Sequence, residues 1–212
     1  METIEFYFDF TSPYSYLAWK RLRESNLSVL CKPVMVGSIF SGIQSTGPGE
    51  IKSKREYLFL DCLRKARDIG VTMTSPKSLP FSPLPFLRAV ISLEDQSEIQ
   101  AKYIDLTFEY GWKHGLDYSN TDNFYQYIEE NLGIDKSQHE ELENKKESRR
   151  TLKLNIKEAI AKGLFGVPSL FVENRLYWGL DSIQFLEKEL SSGIPDDLKH
   201  KLHLFQSATE NI

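Results

Sequence analysis

Two short runs in this 212-residue chain carry residue types that could do chemistry, and they lie far apart in sequence: Ser12-Pro13-Tyr14-Ser15 and Gly166-Val167-Pro168. The first sets two hydroxyls around a proline directly after an apolar run. Proline is tolerated in a first helical turn because its missing N–H would be unpaired there, so Ser12 is expected as N-cap and Pro13 as the first helical residue. Such a helix start offers free N–H groups, the positive end of the helix dipole and a hydroxyl donor, which together suit a bound anion. The second run puts a proline at the head of an apolar stretch, where it is unwelcome unless it opens an edge strand or a special turn. Elsewhere the signals are poorer. Cys31 and Cys62 stand in neither redox-type nor metal-type spacing, and they read as small buried hydrophobes. The four histidines are scattered, with His200 and His203 in a polar C-terminal segment, so no metal site is expected.

The elements that must position these runs follow from periodicity. Residues 4–10 (I-E-F-Y-F-D-F) read as a strand, Tyr14, Leu17, Ala18 and Leu22 give the following helix an apolar face, and residues 29–36 read as a second strand. Residues 37–50 are rich in glycine and serine and predict a long loop. Helical spacing returns with Leu58, Cys62, Ala66 and Ile69, then over 98–110, 121–131 and 137–162, while the four prolines of residues 76–85 exclude regular helix there. Residues 169–172 and 175–178 predict a hairpin across Glu173-Asn174, since asparagine tolerates positive φ. Asp181, with Gln184 three residues on, is expected to cap a last core helix striped by Ile183, Leu186 and Leu190.

The order β-α-β, helical insert, β-β-α is that of an α/β thioredoxin-like fold with a large all-helical insertion. The expected division is a discontinuous thioredoxin-like domain of residues 1–40 and 163–192, an insertion of residues 41–162 and a C-terminal tail of residues 193–212. In that fold the end of the first strand and the first turn of the next helix form the active site. Oxidoreductases of this kind carry C-x-x-C there; this chain has hydroxyls in both places and cannot do dithiol exchange. The proline equivalent to Pro168 is cis in thioredoxin relatives, which leaves the backbone of Val167 to pair with a bound peptide as an extra strand.

The runs F-Y-F-D-F-T-S-P-Y-S-Y-L-A (6–18) and G-L-F-G-V-P-S-L-F-V-E-N-R-L-Y-W-G-L-D (163–181) resemble 2-hydroxychromene-2-carboxylate isomerases and the related kappa-class glutathione transferases. Weaker likeness at Lys54-Arg55, Pro83-Leu84-Pro85 and Trp112-x-x-Gly115-x-Asp117 extends it over most of residues 4–190. The resemblance implies glutathione as cofactor. It places Ser12 at the sulfur, Val167 and Pro168 at the cysteinyl unit, Asp181 near the γ-glutamyl group and Lys54 near the glycine carboxylate. Leu180 falls in the same site, where relatives often have Asn or Ser, and Ser182 stands where they have Arg. Ser15 and Arg88 are candidates for contact with a substrate, Arg88 for an aromatic acid. The implied reactions are cis–trans isomerisation of an aromatic α,β-unsaturated acid or conjugation to a hydrophobic electrophile. A glutathione-binding or thioredoxin-like adaptor without turnover is the rival from another class.

The energetics permit a thiolate. Lowering a thiol pKa by two units takes about 2.7 kcal/mol. A hydroxyl donating to a charged acceptor contributes about 1.5 to 3 kcal/mol and a helix N-terminus up to about 2, so no general base is needed.

Composition narrows the partners. Hydrophobic residues make up 41% and charged residues 26%, with the signs mixed and a net charge of −4, so nucleic acid is not expected. No stretch reaches the roughly 18 apolar residues of a membrane span, no leader is read at the start, and two cysteines suit a reducing compartment. A cytoplasmic protein is expected, and the family likeness admits a homodimer.

Overall fold

The computed structural model describes residues 3–209, with side chains described through residue 202. A four-stranded sheet in the order β2-β1-β3-β4 is built from β1 (Ile4–Phe8), β2 (Val29–Pro33), β3 (Ser169–Val172) and β4 (Arg175–Trp178). β1 pairs in parallel with β2 and antiparallel with β3, Phe6 lying opposite Cys31 on one side and Leu170 on the other. Both faces of β1 are covered, which is why its apolar residues do not alternate with polar ones.

Phe6, Phe8, Leu170 and Tyr177 join the core that includes Leu17, Ala18, Trp19 and Leu22 of α1 (Pro13–Arg23). Tyr7 turns the other way, into a smaller core with Val34, Ile39, Ala159 and Leu164. Between β2 and β3 the chain forms α2 (Val36–Gly42), α3 (Lys52–Asp68), α4 (Leu84–Ser92), α5 (Ser97–Trp112), α6 (Thr121–Leu132), α7 (Lys136–Asn144) and α8 (Lys146–Ala161). After β4 come α9 (Ile183–Ser192) and α10 (Asp196–Thr209). The insert grips the end of β1 directly. Phe10 packs edge-on against Phe108 with centroids 4.7 Å apart, and its carbonyl accepts a 2.8 Å bond from Trp112 Nε1, both partners being on α5. Among the described residues no helix is long and apolar enough to cross a membrane.

Several elements depart from the periodicity. The segment 37–50 is not a loop throughout: it holds α2 and a 3-10 turn at Pro48–Glu50. Its glycines and serines conceal a helix because α2 is held from outside, with Ile39 fully buried and Gly42 so close to α8 that a Cβ there would lie 2.5 Å from Ile160 Cδ1. The span 137–162 is two helices, broken at Lys145, whose extended backbone (ψ 133°) lets α7 and α8 both pack on α4. Ser148 Oγ donates to the Lys145 carbonyl and ties the break. Helix α4 begins inside the proline-rich stretch because Pro85 falls in its first turn, where no N–H is required. β1 and β2 stop at Phe8 and Pro33, short of the expected residues 10 and 36.

Candidate active site

The head of α1 is set by a carboxylate that periodicity alone passes over. Asp9 is 2% exposed, and its Oδ1 accepts from the N–H and the hydroxyl of Thr11 at 2.9 and 3.0 Å. Its Oδ2 accepts from the N–H of Val36 at 2.8 Å, so one side chain fastens the turn into α1 and the first turn of α2. Burial pushes its carboxyl above the ordinary value, and these hydrogen bonds pull in the other direction.

Ser12 is the N-cap of α1 and Pro13 opens the helix, as expected. Ser12 Oγ accepts from the N–H of Ser15 at 3.1 Å and donates to the carbonyl of Val167 at 3.4 Å, a contact spanning 155 residues of sequence. The Val167-Pro168 bond is cis, and so is Leu79-Pro80. The β3 ladder starts at Ser169, so the backbone of Val167 stays outside the sheet and faces Ser12.

A charged relay borders this head. Tyr14 Oη donates to Asp61 Oδ2 at 2.5 Å, and Lys65 Nζ lies 3.1 Å from Asp61 and 3.1 Å from Asp181. Burial pushes the Asp61 carboxyl up, but the bonds from Tyr14 and Lys65 outweigh it and hold it below the ordinary value of 3.8. A carboxylate depressed on folding contributes stability that is fully present above its unfolded pKa and is lost as pH falls through the folded one. Replacing Tyr14 with Phe is therefore expected to cost about 1 to 2 kcal/mol near pH 7, the cost of a partly solvated bond to a charge. The gap between the two proteins should close below pH 4 or so, as Asp61 protonates in both. Thermal melts of both proteins at neutral and acid pH check this; a gap that persists in acid means Tyr14 acts through packing.

The remaining site residues separate into groups. Asp181 does not cap α9: it lies in a 3-10 turn, Leu180–Ser182, entered through Gly179 at φ 91°, and Ser182 precedes the helix without a side-chain cap. Its carboxylate turns instead to the facing ammonium of Lys65, 3.1 Å away. Leu180 is 9% exposed and belongs to the core. The hydroxyl of Ser15 is enclosed and without a partner, and its N–H caps to Ser12. Lys54 sits on the exposed first turns of α3, two turns before Asp61. Arg88, on α4, has Glu143 and Arg149 as its charged neighbours, not the groups at the head of α1. Asp9, Tyr14, Asp61 and Lys65 are the residues that sequence reasoning missed. Spacing offered one clue: Asp61 and Lys65 are four apart on one helix, an ion-pair interval.

Neither native thiol serves the site. Burial pushes both Cys31 and Cys62 up to about 12, so each is protonated at neutral pH.

A helix rising from the end of a central strand, with a proline-led strand beside it, is the thioredoxin-like architecture, here with a hydroxyl where the reactive sulfur would stand. Residues 3–191 match the DsbA-like thioredoxin domain, and the chain belongs to that family. It is similar to the 2-hydroxychromene-2-carboxylate isomerase of Pseudomonas putida, 26% identical over 193 residues, covering 88% of this chain and 93% of that one. The enzyme of the same name from Sphingobium xenophagum is 27% identical over 195 residues, covering 89% and 98%. A solved 2-hydroxychromene-2-carboxylate isomerase superposes with a TM-score of 0.77 at 25% identity, over 89% of this chain and 94% of that one.

Proposed function

We propose that this chain is a glutathione-dependent cis–trans isomerase of the 2-hydroxychromene-2-carboxylate type, acting on an aromatic α,β-unsaturated acid, with Ser12 holding the glutathione sulfur as thiolate. The observation that carries the reading is the Ser12 hydroxyl, placed at a helix N-terminus and directed at the Val167 carbonyl, in a chain whose own two thiols are protonated at neutral pH. The names of the similar isomerases support the isomerase part of it.

The donor set suits a short acidic peptide with a thiol. The Ser12–Val167 contact is long at 3.4 Å, and a nearer anionic acceptor would draw the hydroxyl to itself. The backbone of Val167, outside the β3 ladder, is the proposed strand partner of the cysteinyl unit. Asp181, two-thirds exposed, and Lys65 offer one charge of each sign to a γ-glutamyl amino acid, and Lys54 is the proposed partner of the glycine carboxylate. When bound, glutathione supplies a nucleophilic thiolate that adds reversibly to a conjugated C=C and so permits rotation before it leaves unchanged. Ser12 holds the charge, the head of α1 adds its dipole, and the chain itself moves no proton from carbon. A cofactor that must stay reduced suits a reducing, cytoplasmic compartment.

The test is direct. 2-Hydroxychromene-2-carboxylate is incubated with the protein with and without glutathione, while the ultraviolet spectrum and the free thiol are followed. Isomerisation that needs both components and leaves the thiol concentration constant is expected. Steady loss of thiol into a conjugate would instead make the chain a transferase, bound glutathione without turnover would make it a binding protein, and turnover indifferent to glutathione would overturn the reading.

A further inference from the structure

The charged groups beside the head of α1 close a circuit with Ser12. From Val167 it runs to the neighbouring Pro168, whose carbonyl accepts the N–H of Gly179 at 2.9 Å. Asp181 folds back on that glycine, its Oδ1 lying 3.5 Å from where a Gly179 Cβ would stand. Lys65 Nζ is 3.1 Å from Asp181 and 3.1 Å from Asp61, and Asp61 accepts from Tyr14, two residues after Ser12. The Ser12–Val167 contact completes the ring. Printed contacts therefore join the Lys65–Asp181 pair to both sides of the proposed sulfur position.

The two carboxylates around Lys65 are not equivalent. Asp61 is 17% exposed and is held by the Tyr14 hydroxyl, whereas Asp181 is 66% exposed on a glycine-led turn. The Lys65 ammonium also lies 5.1 Å from the centre of the Tyr14 ring. Asp61 and Tyr14 thus keep the ammonium in place when Asp181 is drawn away from it. A free α-amino acid carries an ammonium and a carboxylate on one carbon, so it can enter by exchange, the ammonium to Asp181 and the carboxylate to Lys65. Every charge then has a partner. A ligand that lacks one of the two groups would part Lys65 from Asp181 and leave one of them unpaired.

We infer that the chain selects its thiol by the free α-amino acid of a γ-glutamyl unit, taken by Lys65 and Asp181 in exchange for their own ion pair, with Asp61 and Tyr14 as positioning residues; this rests on the glutathione reading above. The glycine end counts for little, because Lys54 stands on the exposed first turns of α3, where an ion pair is screened by water. The cofactor class is γ-glutamyl thiols, and γ-glutamylcysteine serves as well as the tripeptide.

Turnover of 2-hydroxychromene-2-carboxylate is measured against the concentration of glutathione, γ-glutamylcysteine, N-acetylglutathione and cysteinylglycine. The half-saturating concentration should rise by no more than about fivefold for γ-glutamylcysteine, the worth of an exposed ion pair. It should rise by about tenfold to a hundredfold for N-acetylglutathione and cysteinylglycine, the worth of a bond between charged groups. Lys65→Met should impose a similar rise for glutathione with little change in kcat, and Lys65→Arg should recover most of it. For cysteinylglycine, which has no γ-glutamyl unit, Lys65→Met should change nothing, whereas damage to α3 would penalise both thiols. Equal values for glutathione and N-acetylglutathione overturn the inference, as do equal losses for glutathione and cysteinylglycine in Lys65→Met. A value for γ-glutamylcysteine as poor as that for cysteinylglycine overturns it too, since recognition would then lie at glycine. Calorimetry with S-methylglutathione and its N-acetyl derivative needs no turnover and separates the two readings. Binding that requires the free amino group upholds the selection even where turnover proves indifferent to thiols, and absence of binding by both overturns it.

Discussion

Replacing Ser12 with alanine is expected to raise the pKa of the bound glutathione thiol by about one to two units, the equivalent of the roughly 1.5 to 3 kcal/mol that a hydroxyl contributes to a charged acceptor. Once that pKa passes the working pH, each unit removes about nine-tenths of the remaining thiolate, so turnover near neutrality should fall by about threefold to twentyfold across that range. The same hydroxyl also accepts the N–H of Ser15, so the variant loses a helix cap worth about 1 kcal/mol. That lowers the melting temperature by only a few degrees and does not unfold the protein. Glutathione affinity should change less than turnover, because Val167, Lys65 and Asp181 do not meet the sulfur. The measurement is thiolate absorbance of the complex against pH, with isomerisation rates taken in parallel. Ser12→Thr, which keeps a hydroxyl and a cap, should restore both. Coincident titrations and equal rates for wild type and Ser12→Ala would reduce Ser12 to a cap and sink the mechanism.

The second large effect is on stability. Asp9→Ala should cost about 3 to 5 kcal/mol, because two backbone N–H groups and one hydroxyl lose their acceptor in a buried place, at about 1 to 3 kcal/mol for each group left unsatisfied. For a chain of this size that is a fall of about 10 °C in melting temperature. Asp9→Asn should recover part of it, since Oδ1 and Oδ2 serve different partners and an amide can accept at only one of them. Because Asp9 joins the entry to α1 with the start of α2, the thiolate titration should shift in the alanine variant as well. A melting temperature within a degree or so of wild type would mean that water replaces the carboxylate without loss.

The parts of this architecture legible in the sequence are those whose causes are local. The Ser12-Pro13 helix start and the hairpin of β3 and β4 across Glu173-Asn174, with both turn residues at positive φ, follow from side chain and backbone within a few residues. The break at Lys145 and the helix hidden in residues 37–50 have distant causes, in α4, α8 and Asp9, and no window of neighbouring residues contains them. The site divides in the same way. Ser12 and Val167-Pro168 announce themselves by motif, whereas Asp61 and Lys65 gain meaning only once α3 lies across the head of α1. Asp181 misled for a related reason: its spacing to Gln184 fits a capping box, but a glycine-led turn intervenes and a lysine from another helix claims the carboxylate.

The antiparallel pairing of β1 with β3 bears on synthesis. Glu5 lies opposite Phe171 and Tyr7 opposite Ser169, so the central strand waits for residues made more than 160 positions later. A nascent chain emerging from the ribosome can form α1 and most of the helical insert while β1 still has an unpaired edge, the kind of edge that invites association with other chains. Closing it is a long-range event with a high loop cost, and it is the same event that brings Val167 to Ser12. Activity therefore cannot precede completion of the sheet: any chain released before β3 has a helix head but no second wall, and the protein is silent until almost its last helix has been made.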